Sequence, residues 1–225
     1  MKRALTSIII ACFLQSSCIA ASPTPIAGPI TVQYTAATDP WLANVYDCAG
    51  ANVVAAGQRA ADFLDPQSVD LAIRIGQPEP LTSPAYQIDT EELLVIVHRQ
   101  NPISHLNNEE VRGLFTGSIE TWEKINSSTA AVQVWVFSSG EDVQQIFEQT
   151  ALDGSPIAST ARLATEMEEM AQAIANDLNA VGILPRHWKM GNVSDVFTVA
   201  TVPVLALTPT RPRMEVQQLL ACLQK

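Results

Sequence analysis

Apolar residues along the chain follow two alternating spacings. Short, mostly apolar runs typical of strands occur at ITVQYT (30–35), VDLAIRIG (69–76), ELLVIVH (92–98), VQVWVF (132–137), AVGILP (180–185) and VFTVATVPVLAL (196–207). Runs with helical spacing occur at WLANVYDCAGA (41–51), EEVRGLF (109–115), GEDVQQIFEQTAL (140–152), TEMEEMAQAIAND (165–177) and RMEVQQLLACLQ (213–224). Because strands and helices alternate, the pattern predicts an α/β protein with mainly parallel sheets flanked by helices.

The first 20 residues have the features of a secretory signal. A basic start precedes the apolar run 4–14, which is too short to span a bilayer as a helix, and small residues follow it. Cleavage after Ala20 and lipidation of Cys18 are both open. We therefore expect an exported protein, periplasmic or at the cell surface, in which membrane contact is limited to a lipid anchor. Residues 21–29 are predicted to form a Pro-rich tether.

The net charge and the cysteine content indicate which binding partners and which cellular compartment to expect. The chain has 23 acidic and 13 basic side chains, a formal net charge of −10, which disfavours nucleic acid as a partner. Cys48 and Cys222 form one even pair in the body of the chain. They are either two buried thiols or a disulfide. Export favours the disulfide, which would join the first predicted helix to the last.

Known catalytic patterns are missing from the sequence. None of the three histidines lies in an H-E-x-x-H pattern, and no cysteine pair has the spacing of metal ligands. The FSSG stretch (137–140) is not a G-x-S-x-G nucleophile elbow, and no Gly-rich phosphate loop is present. We therefore expect neither enzymatic activity nor a cofactor.

Two turns between a strand and a helix are candidates for ligand binding. One is TAATDPW (35–41), which contains Thr38, and the other is FSSGEDV (137–143). Ligands of open α/β sheets bind at the carboxyl ends of strands, where small polar side chains and backbone N–H groups are available. Ordinary helix capping is the alternative explanation for these residues. Arg74, at the end of an apolar strand, would pair either with an anionic ligand or with a nearby carboxylate.

A longer segment carries a family resemblance. ISHLNNEEVRGLFTGSIETWEKI (103–125) resembles a Gly-Trp segment of phosphate-type periplasmic substrate-binding proteins, the binding components of ABC importers. In its apolar face we expect Val111, Leu114 and Phe115, and we expect Trp122 to fill the core. Three further stretches resemble the same family in the same order: VDLAIRIGQPEPLT (69–82), ELLVIVHRQNPI (92–103) and TEMEEMAQAIANDLNAVGILPR (165–186).

The resemblance implies a two-lobed type II periplasmic-binding-protein fold. Lobe 1 would comprise 30–90 plus 196–225, and lobe 2 would comprise 91–195, with a hinge where the chain crosses between them. A monomer that binds a small molecule or oxyanion between the lobes and delivers it to an ABC permease is the function that the resemblance implies. The ligand-binding residues are predicted to be Thr38, Arg74, Ser138, Ser139 and Gly140.

The same comparison reveals a departure at the turn 137–143. Members of this family that bind phosphate usually have an Arg followed by Gly-Ser-Gly-Thr there, whereas this chain has no Arg and places Glu141 and Asp142 after Gly140. Two carboxylates would repel a phosphate. Arg74 could supply the missing positive charge. The alternative function is a non-transport binding or interaction protein whose anion site has been lost.

Overall fold

The computed structural model describes residues 28–63, 68–126 and 128–225. The predicted signal segment 1–20, Cys18 and the tether up to residue 27 lie outside these ranges. The lipid anchor therefore stays a prediction from sequence.

One sheet of eight strands runs through the molecule, in the order β2-β1-β3-β8-β4-β7-β5-β6. The strands are β1 (Ile30–Tyr34), β2 (Val53–Gly57), β3 (Leu71–Ile75), β4 (Ala85–His98), β5 (Gln133–Val136), β6 (Arg162–Leu163), β7 (Ala180–Pro185) and β8 (Val193–Leu207). At one end β1 pairs in parallel with β2 and β3, and at the other β5 pairs in parallel with β6 and β7.

Two long antiparallel strands connect these parallel sets. The 14-residue β4 and the 15-residue β8 pair with each other from Ala85 opposite Leu207 to His98 opposite Val193. β8 also pairs with β3, and β4 also pairs with β7. Each long strand therefore lies directly beside one of the two parallel sets. The predicted lobe boundaries fall inside these long strands, and the division into two lobes stays a proposal.

The described residues form six α-helices. They are α1 (Leu42–Ala49), α2 (Asn108–Thr116), α3 (Glu123–Asn126), α4 (Asp142–Phe147), α5 (Met167–Asn176) and α6 (Met214–Leu223). A π-helical turn, Glu148–Leu152, continues α4. None of the helices in the described ranges has the length and apolar character needed to cross a membrane. The α/β class predicted from the apolar pattern is confirmed.

The Gly-Trp segment is structural, as the sequence predicted. α2 begins with a capping box between Asn107 and Glu110 and ends at Gly117, whose φ of 79° favours glycine. Its apolar face is fully buried. Trp122 is 1% exposed, and its indole Nε1 donates to the carbonyl oxygen of Asn179 at 3.2 Å. The segment therefore holds α2 and the start of β7 in one core.

The last strand is continuous through its proline. Pro203 lies opposite Thr90 within β8, where β3 has just ended, and its carbonyl accepts a hydrogen bond from the N–H of Gly76 at 2.8 Å. The apolar run 196–207 is therefore part of one long strand. β2 and the two-residue β6, both at sheet edges, were not predicted.

The cysteine pair forms a disulfide, as export favoured. Cys48 in α1 and Cys222 in α6 have Cα atoms 5.8 Å apart, and the bridge closes a sequence separation of 174 residues. It connects α1, near the start of the described residues, to α6, and the two helices pack against each other. Cross-linking positions so far apart in sequence restricts the unfolded chain strongly.

We expect replacement of both cysteines, Cys48→Ala with Cys222→Ala, to lower the free energy of unfolding by about 3–5 kcal/mol because the unfolded chain gains freedom. Urea unfolding of the oxidised protein and of the double variant measures this difference. Wild-type protein under reducing conditions should behave like the variant. Equal unfolding free energies for oxidised wild type and variant would contradict the stabilising role.

Candidate functional site

A buried carboxylate joins the two parallel sets of strands. Asp142, the first residue of α4, is fully buried. Its Oδ2 accepts hydrogen bonds from the Thr35 hydroxyl at 2.7 Å and from the Ile75 N–H at 2.9 Å. Its Oδ1 accepts from the Val143 N–H at 2.9 Å. Donors from the ends of β1 and β3 therefore converge on an acid that belongs to the helix after β5.

The turn after β1 is organised by a second threonine. Thr38 is fully buried, and its hydroxyl donates to the Thr35 carbonyl at 2.9 Å. The same hydroxyl lies 3.4 Å from the Thr35 hydroxyl. Thr38 thus holds Thr35 in place, and Thr35 in turn reaches the carboxylate of Asp142.

Arg74 is close to this group, but its side chain lies on the face of β3 opposite to the main core. It is 6% exposed, and its Nη2 lies 3.4 Å from the Gln145 Oε1. Burial lowers the pKa of Arg74, and the negative charge of Asp142 opposes that effect. The pKa of Asp142 is raised, because burial outweighs the hydrogen bonds from Thr35 and Ile75 and the attraction of Arg74.

The polar groups of the predicted turn before α4 make hydrogen bonds within the protein. The Ser138 hydroxyl accepts from the Gly140 N–H at 3.3 Å, and the Ser139 carbonyl lies 3.5 Å from the Gln145 side-chain amide. The Gly140 carbonyl accepts from the Ala61 N–H at 3.0 Å, which brings the segment after β2 onto this turn.

An open cleft of about 630 Å³ lies beside the buried carboxylate. Its walls come from the end of β1, the segment after β2, the start of α4, the start of α5 and the 3₁₀ turn after β7. Residues with polar or aromatic side chains that line it include Tyr34, Asp39, Arg59, Glu141, Glu166 and Trp188. Carboxylates dominate, because Arg59 is the one cation among the lining residues, and its Nη2 lies 2.5 Å from Asp62.

Glu141 is the unusual member of this wall. It is 9% exposed, and its Oε2 is the one buried side-chain oxygen or nitrogen in the described ranges that lacks a hydrogen-bond partner. Burial, followed by the charge of Asp142, raises its pKa to about 7. The Glu166 and Asp62 charges act in the same direction, and Arg59 opposes them. An acid of this kind is a candidate for ligand binding.

Aromatic side chains close the edge of the cleft. The Trp188 indole Nε1 donates to the Ala37 carbonyl at 3.0 Å. Beside it, the rings of Trp41 and His187 lie 4.5 Å apart, and the His187 Nδ1 lies 2.8 Å from the Glu91 Oε2. The turn after β7 is thereby fixed against the turn after β1.

The predicted site residues lie close together, but they are grouped around Asp142 and not around the cleft. Thr38 supports the threonine that binds Asp142, Arg74 interacts with it electrostatically, and the turn 138–140 leads into it. None of the five predicted residues lines the cleft. Their role as direct ligand contacts stays a prediction.

Other cleft residues were not predicted from the sequence. Tyr34 ends a strand, and Trp188 follows one, without any motif around them. Glu141 was noted for repelling phosphate, but its burial was not foreseen. In the described part of the chain, no group of three or more histidine, cysteine or acidic side chains could hold a metal ion.

Comparisons with known proteins identify the fold. No protein-family model and no curated protein matches the chain by sequence. Among solved structures, a protein from Clostridium perfringens described as a phosphate ABC transporter substrate-binding protein with bound phosphate has a TM-score of 0.74 at 12% identity, covering 87% of this chain and 92% of the other. An ABC-type phosphate transport receptor from Vibrio cholerae has a TM-score of 0.71 at 16% identity, covering 87% and 93%.

A regulatory protein has the same architecture. A mutant OxyR2 regulatory domain from Vibrio vulnificus with bound sulfate has a TM-score of 0.65 at 13% identity, covering 91% of this chain and 98% of the domain. Transport and non-transport proteins therefore both resemble this chain in fold. At these identities the similarity establishes the architecture and leaves the ligand open. The chain has the type II periplasmic-binding-protein fold.

Proposed function

We propose that this chain is an exported solute-binding protein that holds a small polar ligand in the cleft beside Glu141 and delivers it to an ABC permease. Two structural neighbours described as phosphate transport proteins support a solute-binding role. The disulfide supports an oxidising compartment outside the cytoplasm. The cleft, at about 630 Å³, has the size usual for small-molecule sites.

The observation that carries the proposal is the position of Asp142. Its carboxylate already accepts the Thr35 hydroxyl and the Ile75 N–H, the donors that the strand ends would offer an anion. A phosphate would have to displace this carboxylate and approach Glu141 as well, against like-charge repulsion. We infer that Asp142 takes the place of an oxyanion ligand and that the solute binds in the neighbouring cleft.

A second candidate function is a non-transport binding or interaction protein on the same fold. The hydrogen bonds of Asp142 favour it, because they tie the two parallel sets of strands together without a ligand. The OxyR2 domain is a non-transport protein of the same architecture. Under this function, the chain would deliver no solute to a permease.

Removal of the Asp142 side chain should be strongly destabilising and open to rescue by an anion. We expect Asp142→Ala to lower the free energy of unfolding by about 3 kcal/mol, because the Thr35 hydroxyl and the Ile75 N–H lose their buried acceptor. Sodium formate should restore part of this loss in the variant and leave wild type unchanged, since formate can occupy the vacated carboxylate position. Urea unfolding with and without formate measures both effects.

Asp47→Ala is the control for this variant. Asp47 is exposed on α1, and we expect its replacement to change the unfolding free energy by less than about 0.5 kcal/mol. Sodium chloride at matched ionic strength separates rescue from a general salt effect. If Asp142→Ala is as stable as Asp47→Ala, or if chloride rescues it as well as formate does, Asp142 does not replace an anion.

A thermal-shift screen tests solute binding in the cleft. The solutes are oxyanions (phosphate, sulfate, molybdate and tungstate), sugars, amino acids and amines. A solute at 100 times its dissociation constant should raise the melting temperature by about 5–10 °C. We expect no oxyanion to do so, because Asp142 holds the available donors.

The variant Gly57→Met should block the cleft with its larger side chain. Gly57 lines the cleft on edge strand β2, and a Cβ there would make ordinary contacts of 3.5 Å with the ring of Tyr34. A solute that stabilises wild type but not Gly57→Met binds in the cleft. Stabilisation by phosphate in both proteins would place the site elsewhere and overturn the proposal, and a screen without any active solute would favour the non-transport function.

A further inference from the structure

The carboxylate of Glu141 has an oxygen without a hydrogen-bond partner in the described part of the chain. Its Oε2 is buried but accepts no hydrogen bond, and the side chain does not cap its own helix. A buried carboxylate without a partner is unfavourable for folding, because it loses its hydration and gains nothing in return. Residue Glu141 also lines the cleft, so its carboxylate is available to pair with a donor on a bound molecule.

The charge around Glu141 selects the sign of that molecule. Asp39, Glu166 and Glu168 line the same cleft, and within the described ranges no ion pair neutralises them. The guanidinium of Arg59 is paired with Asp62. The cleft therefore has a negative potential, which attracts cations and repels anions.

The aromatic lining favours an organic cation. Tyr34 and Trp188 both line the cleft. The Trp188 N–H is already bound to the Ala37 carbonyl, so its ring is left as apolar surface with a negative π-face. Ammonium groups interact favourably with such rings. A bare metal ion would need several ligating side chains around one point, and the described residues offer no such group.

We propose that the cleft binds a small organic cation whose ammonium group pairs with the carboxylate of Glu141, with Tyr34 and Trp188 in contact with its hydrocarbon part. This inference rests on the proposed function, because it names the class of solute that the same cleft takes. It also accounts for the departure at the turn 137–143, where Glu141 stands among the small polar residues of a phosphate-type segment.

Binding of a cation at Glu141 should depend on pH in a defined direction. The pKa of Glu141 is raised to about 7, with Asp142, Glu166, Asp62 and Arg59 as the surrounding charges. The ammonium requires the ionised carboxylate. The affinity should therefore be constant above pH 7 and weaken by up to about tenfold per pH unit below it. A neutral ligand that accepts a proton from Glu141 would show the opposite dependence.

Stability without ligand provides an independent measurement. A raised pKa in the folded state means that Glu141 stabilises the fold below its ordinary pKa of 4.5 and that this contribution is lost as the pH rises through about 7. Glu141→Gln should remove this component from the pH profile of the melting temperature. Glu109→Gln makes the same charge change at an exposed position of α2 and should leave the profile unchanged.

The binding experiment uses ethanolamine, putrescine and choline as probes, with dimethylbutanol as the uncharged isostere of choline. Isothermal titration calorimetry on the mature protein is run from pH 5 to pH 8. We expect at least one amine to bind wild type, and Glu141→Gln to weaken that binding by about 10- to 100-fold through loss of a charge-assisted hydrogen bond. Glu109→Gln should bind as wild type does.

Each outcome separates this inference from the proposed function. Equal binding of the amine by wild type and Glu141→Gln overturns the inference, as does equal binding of choline and dimethylbutanol. If sugars or amino acids bind wild type but not Gly57→Met, while no amine binds, the cation inference fails and solute binding in the cleft stands. If no solute of any class binds, both fail.

Discussion

The carboxylate of Asp142 is the interaction on which the arrangement of the candidate site depends. It lies at the start of α4 but takes its hydrogen bonds from the ends of β1 and β3, so it joins segments that are far apart in sequence. An acid in this buried position is tolerated because its oxygens accept hydrogen bonds from Thr35, Ile75 and Val143. Because those donors are already bound to Asp142, the groups left for a ligand are those of the adjacent cleft, whose wall includes Glu141.

The two neighbouring acids therefore have opposite roles. Asp142 is satisfied within the fold, whereas the Oε2 of Glu141 lacks a partner among the described residues. The charge of Asp142 is one of the causes of the raised pKa of Glu141. The donors at the strand ends are already bound to the carboxylate of Asp142. The wall of the neighbouring cleft can therefore be negatively charged in a chain with the fold of phosphate-binding proteins.

The apolar pattern predicted the strands that are buried and missed those that are exposed. β3, β7 and residues 93–97 of β4 are almost continuously apolar and are buried, so their runs were recognisable. β2 is an edge strand of small residues with exposed positions, which has no distinctive pattern. For the site, small polar residues after strands indicated the correct turns. The contact between Thr35 and Asp142 spans 107 residues, and no local pattern encodes it.

The bridge between Cys48 and Cys222 also imposes an order on how the protein matures. Cys222 follows Cys48 by 174 residues, so Cys48 has no native partner until the chain as far as α6 has been synthesised and exported. The disulfide between α1 and α6 can therefore form only after export has reached α6. Any oxidant that acts during translocation meets Cys48 without its native partner, and correct pairing depends on the sheet having first brought α6 beside α1.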